Sequence, residues 1–88
     1  MLWRYAKDSV KRKIIARELP DRLIELTLAY PDSIMRGRRG RSIAQKECLK
    51  EGLGKLLIRV VYEEMGEEKV VVSAYWARPE RYERGDRR

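Results

Sequence analysis

The chain has 88 residues, of which 43% are hydrophobic, enough for one domain with a modest core. It has no histidine, which excludes His-based catalytic triads and His-ligated metal sites, and its single cysteine, Cys48, excludes an internal disulfide. With 21 basic and 14 acidic side chains, the net charge is +7, which favours a polyanionic partner, nucleic acid before a membrane surface. The alternative is a heat-tolerant surface of ion pairs. We expect a cytoplasmic protein without a cofactor or metal.

The first third of the chain predicts a short element followed by two amphipathic helices. Residues 2–6 form either an edge strand, with Trp3 and Tyr5 on one face, or the first turn of a helix. A helix follows over residues 10–18, and Pro20 ends it and can open the next helix. The residues expected to be buried are Val10, Ile14, Ile15 and Leu19 on the first helix, and Leu23, Ile24, Leu26, Thr27 and Tyr30 on the second.

A β-hairpin followed by a short extension rich in Arg and Tyr is predicted over residues 54–82. Two runs rich in Val, Ile, Leu and Tyr flank the segment EEMGEE, whose acids keep the turn in water and whose Gly66 can take a positive φ. With Gly66 at the tip, one face is apolar and requires a cover, whereas the other is mixed, with a charge at its centre. The expected pairs on the apolar face are Tyr62–Val70, Val60–Val72, Ile58–Ala74 and Leu56–Trp76. The mixed face carries Leu57, Arg59, Val61, Val71, Ser73 and Tyr75.

Two further strands are expected between the helices and the hairpin. Residues 33–40 begin as a strand and end in a turn rich in Arg and Gly, and residues 43–49 form the next strand. Two registers are open for this strand, one with Lys46 outward and one with Lys46 buried. Burial of a lysine is costly, so Lys46 is expected on the open face. The inward residues would be Ile43 and Leu49 in the first register, and Ala44 and Cys48 in the second.

Together these elements predict an α+β domain in which two N-terminal helices pack on one face of a three- to four-stranded antiparallel sheet. The domain is expected to span residues 1–82, followed by a basic, flexible tail over residues 83–88. No apolar run approaches the length that a membrane-spanning helix needs, so no membrane partner is expected.

Arginine, lysine and tyrosine are the residue types left to carry chemistry. Lys46, Arg59 and Tyr75 are expected to converge on the open face of the sheet. Arginine forks match phosphate oxygens, and tyrosine can stack on an unpaired base or transfer a proton. The other candidates are Arg36, Arg38, Arg39 and Arg41 in the loop beside the sheet, and Arg78, Arg81 and Tyr82 after the last strand. For each of them the alternative is an ion pair or a packing contact within the domain.

Four short motifs follow one another in an order that resembles a known family. They are Arg17-Glu18-Leu19-Pro20, Pro31-Asp32, Arg59-Val60-Val61-Tyr62 and Ala74-Tyr75-Trp76. Over residues 8–82 the chain resembles a large family of small prokaryotic proteins of unknown function that is grouped with the RelE/ParE-like toxins. Members often have a histidine eight residues before the arginine of the first motif, where this chain has Ser9.

The resemblance implies a RelE-like α+β fold with the helices on one sheet face and the active or binding surface on the other. RelE-type enzymes, as a group, cut messenger RNA on the ribosome without metal, using basic and tyrosine side chains. The resemblance therefore implies RNA and the ribosome as partners, and a toxin-like role.

Three functions follow from these expectations. The first is a metal-independent endoribonuclease, in which a ribose 2′-OH attacks the adjacent phosphate. Arg59 and Arg81 would stabilise the developing charge, and Lys46, Tyr75 or Tyr82 would transfer protons. The second is a non-catalytic nucleic-acid-binding module that holds the backbone with the arginines of residues 36–41 and the tail. The third is a protein-interaction role, with an antitoxin or a second copy of the chain pairing at an exposed edge.

Overall fold

The computed structural model describes residues 1–80, most of which lie in two α-helices and five strands. In chain order these are β1 (Leu2–Tyr5), α1 (Asp8–Ala16), α2 (Asp21–Ala29), β2 (Ser33–Arg36), β3 (Ser42–Lys50), β4 (Gly54–Met65) and β5 (Glu68–Ala77). The strands form one sheet in the order β1-β5-β4-β3-β2. Strand β1 is parallel to β5, and the other neighbours are antiparallel.

The predicted α+β class with two helices is confirmed, but the predicted sheet is wrong in two respects. It has five strands within the described range rather than three or four, and it is mixed rather than purely antiparallel. Both differences have the same cause, since β1 pairs with a strand more than 60 residues away in the sequence. The edge-strand alternative for residues 2–6 is therefore correct, and Trp3 and Tyr5 both pack against the core.

Both helices lie on one face of the sheet. The core joins Ile14, Leu19, Ile24 and Leu28 from the helical segment to Ala44, Ile58, Val60, Tyr62, Val71 and Ala74 from the sheet. The predicted burial of three helical residues is wrong, because Ile15, Leu26 and Tyr30 are 50%, 41% and 69% exposed. Leu28 is buried instead. It lies four residues after Ile24 and shares its helix face, whereas Leu26 lies only two residues after Ile24 and does not. Neither helix of residues 1–80 is long and apolar enough to cross a membrane.

The turn between the two helices is bonded directly to β5. Arg17 Nη1 donates to the backbone oxygen of Ala74 at 2.8 Å, and Trp76 Nε1 donates to the backbone oxygen of Arg17 at 2.9 Å. Between them, Glu18 takes a left-handed φ of 62° and Leu19 is fully buried. Two of the motifs that carry the family resemblance are therefore in contact, and their arginine and tryptophan have structural roles.

The β4–β5 hairpin differs from the predicted register by a shorter turn and a bulge. Met65 pairs with Glu68, so the turn has two residues and is not centred on Gly66. Val61 pairs with Ser73 but Tyr62 pairs with Val71, which leaves Val72 as the extra residue of a β-bulge. The prediction that Val70 and Val72 lie on the helix-covered face is therefore wrong, and Val71 occupies the core in their place.

Ionisation of Tyr5 should weaken the fold at high pH. Its hydroxyl donates to Asp21 Oδ1 at 2.6 Å, which ties β1 to the start of α2. Burial and then the adjacent Asp21 carboxylate raise the pKa of Tyr5 above its ordinary value. Burial and Glu64 raise the pKa of Tyr62 in the same direction. A tyrosine in the unfolded chain ionises near pH 10, so above that pH the unfolded state gains stability relative to the fold.

We therefore expect the free energy of unfolding to be independent of these tyrosines below about pH 9 and to fall above about pH 10. In Tyr5→Phe, the slope of the unfolding free energy against pH should be shallower, because up to about one proton fewer is released on unfolding. Urea denaturation across the alkaline range measures this slope, and Tyr30→Phe, which alters an exposed ring, is the control. Equal slopes in wild type and Tyr5→Phe would contradict the assignment.

Candidate nucleic-acid interface

Three polar side chains lie side by side on the face of the sheet that the helices do not cover. Gln45 of β3 pairs with Arg59 of β4, and Arg59 pairs with Tyr75 of β5. Residues directly opposite each other in an antiparallel pair share a face and lie close together. The neighbouring pairs Ala44–Val60 and Val60–Ala74 belong to the core, which places this row on the opposite face.

Arg59 is held by contacts in several directions. Its Nε donates to Tyr75 Oη at 3.2 Å, its Nη1 donates to Gln45 Oε1, and its Nη2 lies 3.6 Å from Met35 Sδ. Only 4% of the residue is exposed. The predicted meeting of Arg59 and Tyr75 on this face is confirmed, but the predicted exposure of Arg59 is wrong. Its guanidinium orients the tyrosine hydroxyl rather than presenting a broad surface to a ligand.

Lys46 does not join this cluster, so its predicted place on the open face is wrong. It pairs with Ile58 on the helix-covered side, in the register that buries Ala44. The cost that argued against this register is avoided, because Lys46 Nζ reaches the edge of the core and donates to the backbone oxygen of Tyr30 at 2.8 Å. Tyr30 is the C-cap of α2, where free carbonyls attract a cation.

Residues 36–41, here called the arginine loop, connect β2 to β3. Arg36, Arg38 and Arg39 are exposed, and none forms an ion pair with another described residue. Arg41 is different, since its Nε lies 3.2 Å from Glu63 Oε2. Arg39 has a left-handed backbone, with φ 58° and ψ 35°. That conformation is unfavourable for a residue with a Cβ, so Arg39 carries a local conformational cost.

The remaining predicted site residues do not add to the arginine loop. Arg78 is exposed just after β5, beside Leu53 and Trp76. Arg78 comes directly after Ala77, which pairs with Leu57 of β4. The arginine loop ends just before Ser42, which pairs with Tyr62, five residues further along β4. Strand geometry separates these levels by about 17 Å. Arg81, Tyr82 and the predicted tail over residues 83–88 lie outside the described residues.

Gln45 and Met35 are site residues that the sequence did not reveal. Both contact the Arg59 guanidinium, and both come from strands whose register was open or unassigned. The one available signal was that Gln45 is the only glutamine of the chain and lies in a strand otherwise free of neutral amides. Asp32 is a related case, because it bonds β3 through Glu47 N at 2.7 Å and so supports the strand that carries Gln45.

No protein-family model matches the chain, and neither a curated protein nor a solved structure matches it. The RelE/ParE-like resemblance therefore remains an expectation from the sequence motifs. The chemistry of the site has to be argued from its own residues.

Replacing Arg59 should destabilise the domain. In Arg59→Ala the partly buried side chains of Gln45 and Tyr75 lose their bonds, and a buried group left unpaired costs about 1–3 kcal/mol. We expect the free energy of unfolding to fall by about 2 kcal/mol or more, measured by urea denaturation. Arg36→Ala is the matched control, because it removes an exposed arginine of the same sheet. If both variants unfold at the wild-type midpoint, Arg59 does not support the fold.

Proposed function

We propose that this chain is an RNA-binding protein that contacts the phosphate backbone with its arginine loop. The observation that carries the proposal is the presence of exposed arginines at Arg36, Arg38 and Arg39, one of them in a strained backbone conformation. Guanidinium groups bind phosphate oxygens through two parallel hydrogen bonds. Gly40 takes a positive φ of 73°, which glycine adopts without steric cost. The choice of RNA over DNA rests on the resemblance to RelE/ParE-like toxins.

Neighbouring charges decide which loop residues can serve. Glu63 pairs with Arg41, and Glu64 lines the same groove as Arg36 and Arg41. These acids oppose a phosphate at the inner side of the loop, so the contacts fall to Arg38 and Arg39 at its outer side. Contacts of this kind position a backbone without reading bases, which predicts strong salt dependence and little sequence preference.

The loop contribution can be measured with the double variant Arg38→Gln/Arg39→Asn, since asparagine tolerates the left-handed backbone. We expect weaker binding of a labelled single-stranded RNA by fluorescence anisotropy. We also expect the slope of log affinity against log salt to be shallower by about 1.4, for two lost phosphate contacts. The control, Arg4→Gln/Lys55→Gln, removes the same charge from cations that pair with Glu68 and Glu47. The loop assignment fails if both variants lose equal affinity.

A second candidate function is metal-independent RNA cleavage centred on Tyr75. The observation that favours it is the bond from Arg59 Nε to Tyr75 Oη, which fixes the hydroxyl while its hydrogen is donated to no atom of residues 1–80. A ribose 2′-OH would lose its proton to water and attack the adjacent phosphate. Tyr75 would give its hydroxyl proton to the departing 5′ oxygen as that P–O bond breaks and a 2′,3′-cyclic phosphate forms, and water would then reprotonate the tyrosine. Ribosome-dependent cutting and pairing with an antitoxin belong to this candidate, and they rest on the toxin resemblance alone.

Tyr75→Phe separates cleavage from binding. It removes only the hydroxyl, so RNA cleavage should disappear while RNA affinity changes little. The melting temperature should fall, because the buried Arg59 loses its bond to the tyrosine oxygen. The assay is the appearance of new ends in labelled RNA, with and without ribosomes, and Tyr30→Phe controls for loss of an exposed phenol. Cleavage at the wild-type rate by Tyr75→Phe would remove this mechanism. If the wild-type protein leaves the RNA intact, the cleavage candidate is rejected and only RNA binding remains as a proposed function.

A further inference from the structure

A second concentration of positive charge lies in and beside α1, away from the arginine loop. Residues 7–17 contain five basic side chains and one acid, which supply four of the seven surplus positive charges. Lys7, Lys11, Arg12 and Lys13 are all exposed and are here called the α1 cation surface. The fifth, Arg17, is bonded to the backbone of β5. The α1 cation surface therefore has no evident part in holding the domain together.

Nearby acids form no ion pair with these cations among the described residues. Glu18 pairs with Lys50 at 2.9 Å, and the Asp21 and Glu25 carboxylates accept hydrogen bonds from Tyr5 and Trp3. The ion pairs within residues 1–80 include none of the four members of the α1 cation surface. The remaining acid, Asp8, lies in the first helical turn, where it complements the helix dipole. The surface consequently keeps a net positive charge.

This arrangement works against the stability of α1. Lys7 is the N-cap, a position that favours Ser, Thr, Asp or Asn, and it makes no side-chain capping bond. Lys7 and Lys11 stand four residues apart, a spacing at which like charges repel, and both lie near the positive end of the helix. A departure from local rules that brings no gain inside the domain is typical of a residue set kept for an external contact.

We infer that the α1 cation surface is a second binding site for the phosphate backbone of RNA, on the side of the sheet opposite Tyr75. The identity of the nucleic acid rests on the proposed function. Lysine ammonium groups act as point charges toward phosphate, so this site tracks the backbone without reading bases.

Backbone phosphate fits this surface better than a protein or a membrane. Protein interfaces are depleted of lysine and have an apolar centre, whereas here Ile15, 50% exposed, is the one exposed large apolar side chain of α1. Membrane-binding helices insert a broad apolar face, and the apolar face of α1, with Ile14, is already buried in the core. The helix is also rigidly mounted through Arg17 and Ile14, which suits a preformed electrostatic site.

The test compares Lys11→Gln/Arg12→Gln with the loop variant Arg38→Gln/Arg39→Asn and with the control Arg4→Gln/Lys55→Gln. Each removes two positive charges. For a labelled single-stranded RNA, the salt slope of the α1 variant should fall by about 1.4. When the α1 and loop substitutions are combined in one protein, the two decreases in salt slope should add, because the sites are separate. The control should keep the wild-type slope.

The outcomes separate this inference from the proposed function. If wild type binds RNA and only the loop variant lowers the slope, the α1 site is rejected, and an acidic protein becomes the occupant to seek. If the wild-type protein binds no RNA even at low salt, both the proposed function and the α1 site are rejected. Lys7→Ser guards against a folding artefact: it should raise the melting temperature, by improving the cap, while weakening RNA binding. Weaker binding with a lower melting temperature would overturn the assignment.

Discussion

The arrangement of the domain depends on the junction between its two helices and the last strand. The Arg17 side chain donates to the backbone oxygen of Ala74, the Trp76 side chain donates to the backbone oxygen of Arg17, and Leu19 is fully buried at this junction. Because the junction fixes both helices to one side of the sheet, the row formed by Gln45, Arg59 and Tyr75 lies on the other side. The position of the candidate site thus follows from contacts that have no direct part in binding.

Two groups of basic residues within residues 1–80 have different physical roles. Arg17, Lys46 and Arg59 direct their charges at backbone oxygens or polar side chains within the domain, where they join elements distant in the sequence. Arg36, Arg38 and Arg39 of the arginine loop and the α1 cation surface keep theirs at the surface. Net charge alone could not distinguish these groups. The electrostatic argument for a polyanionic partner rests on the second group, whose charges are exposed.

The sequence predicted those features that depend on neighbouring residues. It was misleading where a contact with a residue distant in the sequence determines the position of a side chain or strand. Both helices and the hairpin followed from periodicity, and the meeting of Arg59 with Tyr75 followed from alternation along strands. Lys46 was misplaced because its acceptor, the Tyr30 carbonyl, is a tertiary contact invisible to strand patterns. The parallel partner of β1 was missed for the same reason. Arg39 is a third case, since a left-handed arginine has no sequence signature.

The extra residue at Val72 divides β5 into two halves of opposite parity. Beyond it, Ala74 and Trp76 lie toward the helices at even-numbered positions, and before it Val71 does so at an odd one. Any relative compared with this chain must therefore be aligned separately on each side of the bulge. An alignment that slips by one residue there would exchange interior and exterior for half the strand, and would misassign which of its valines are free to vary.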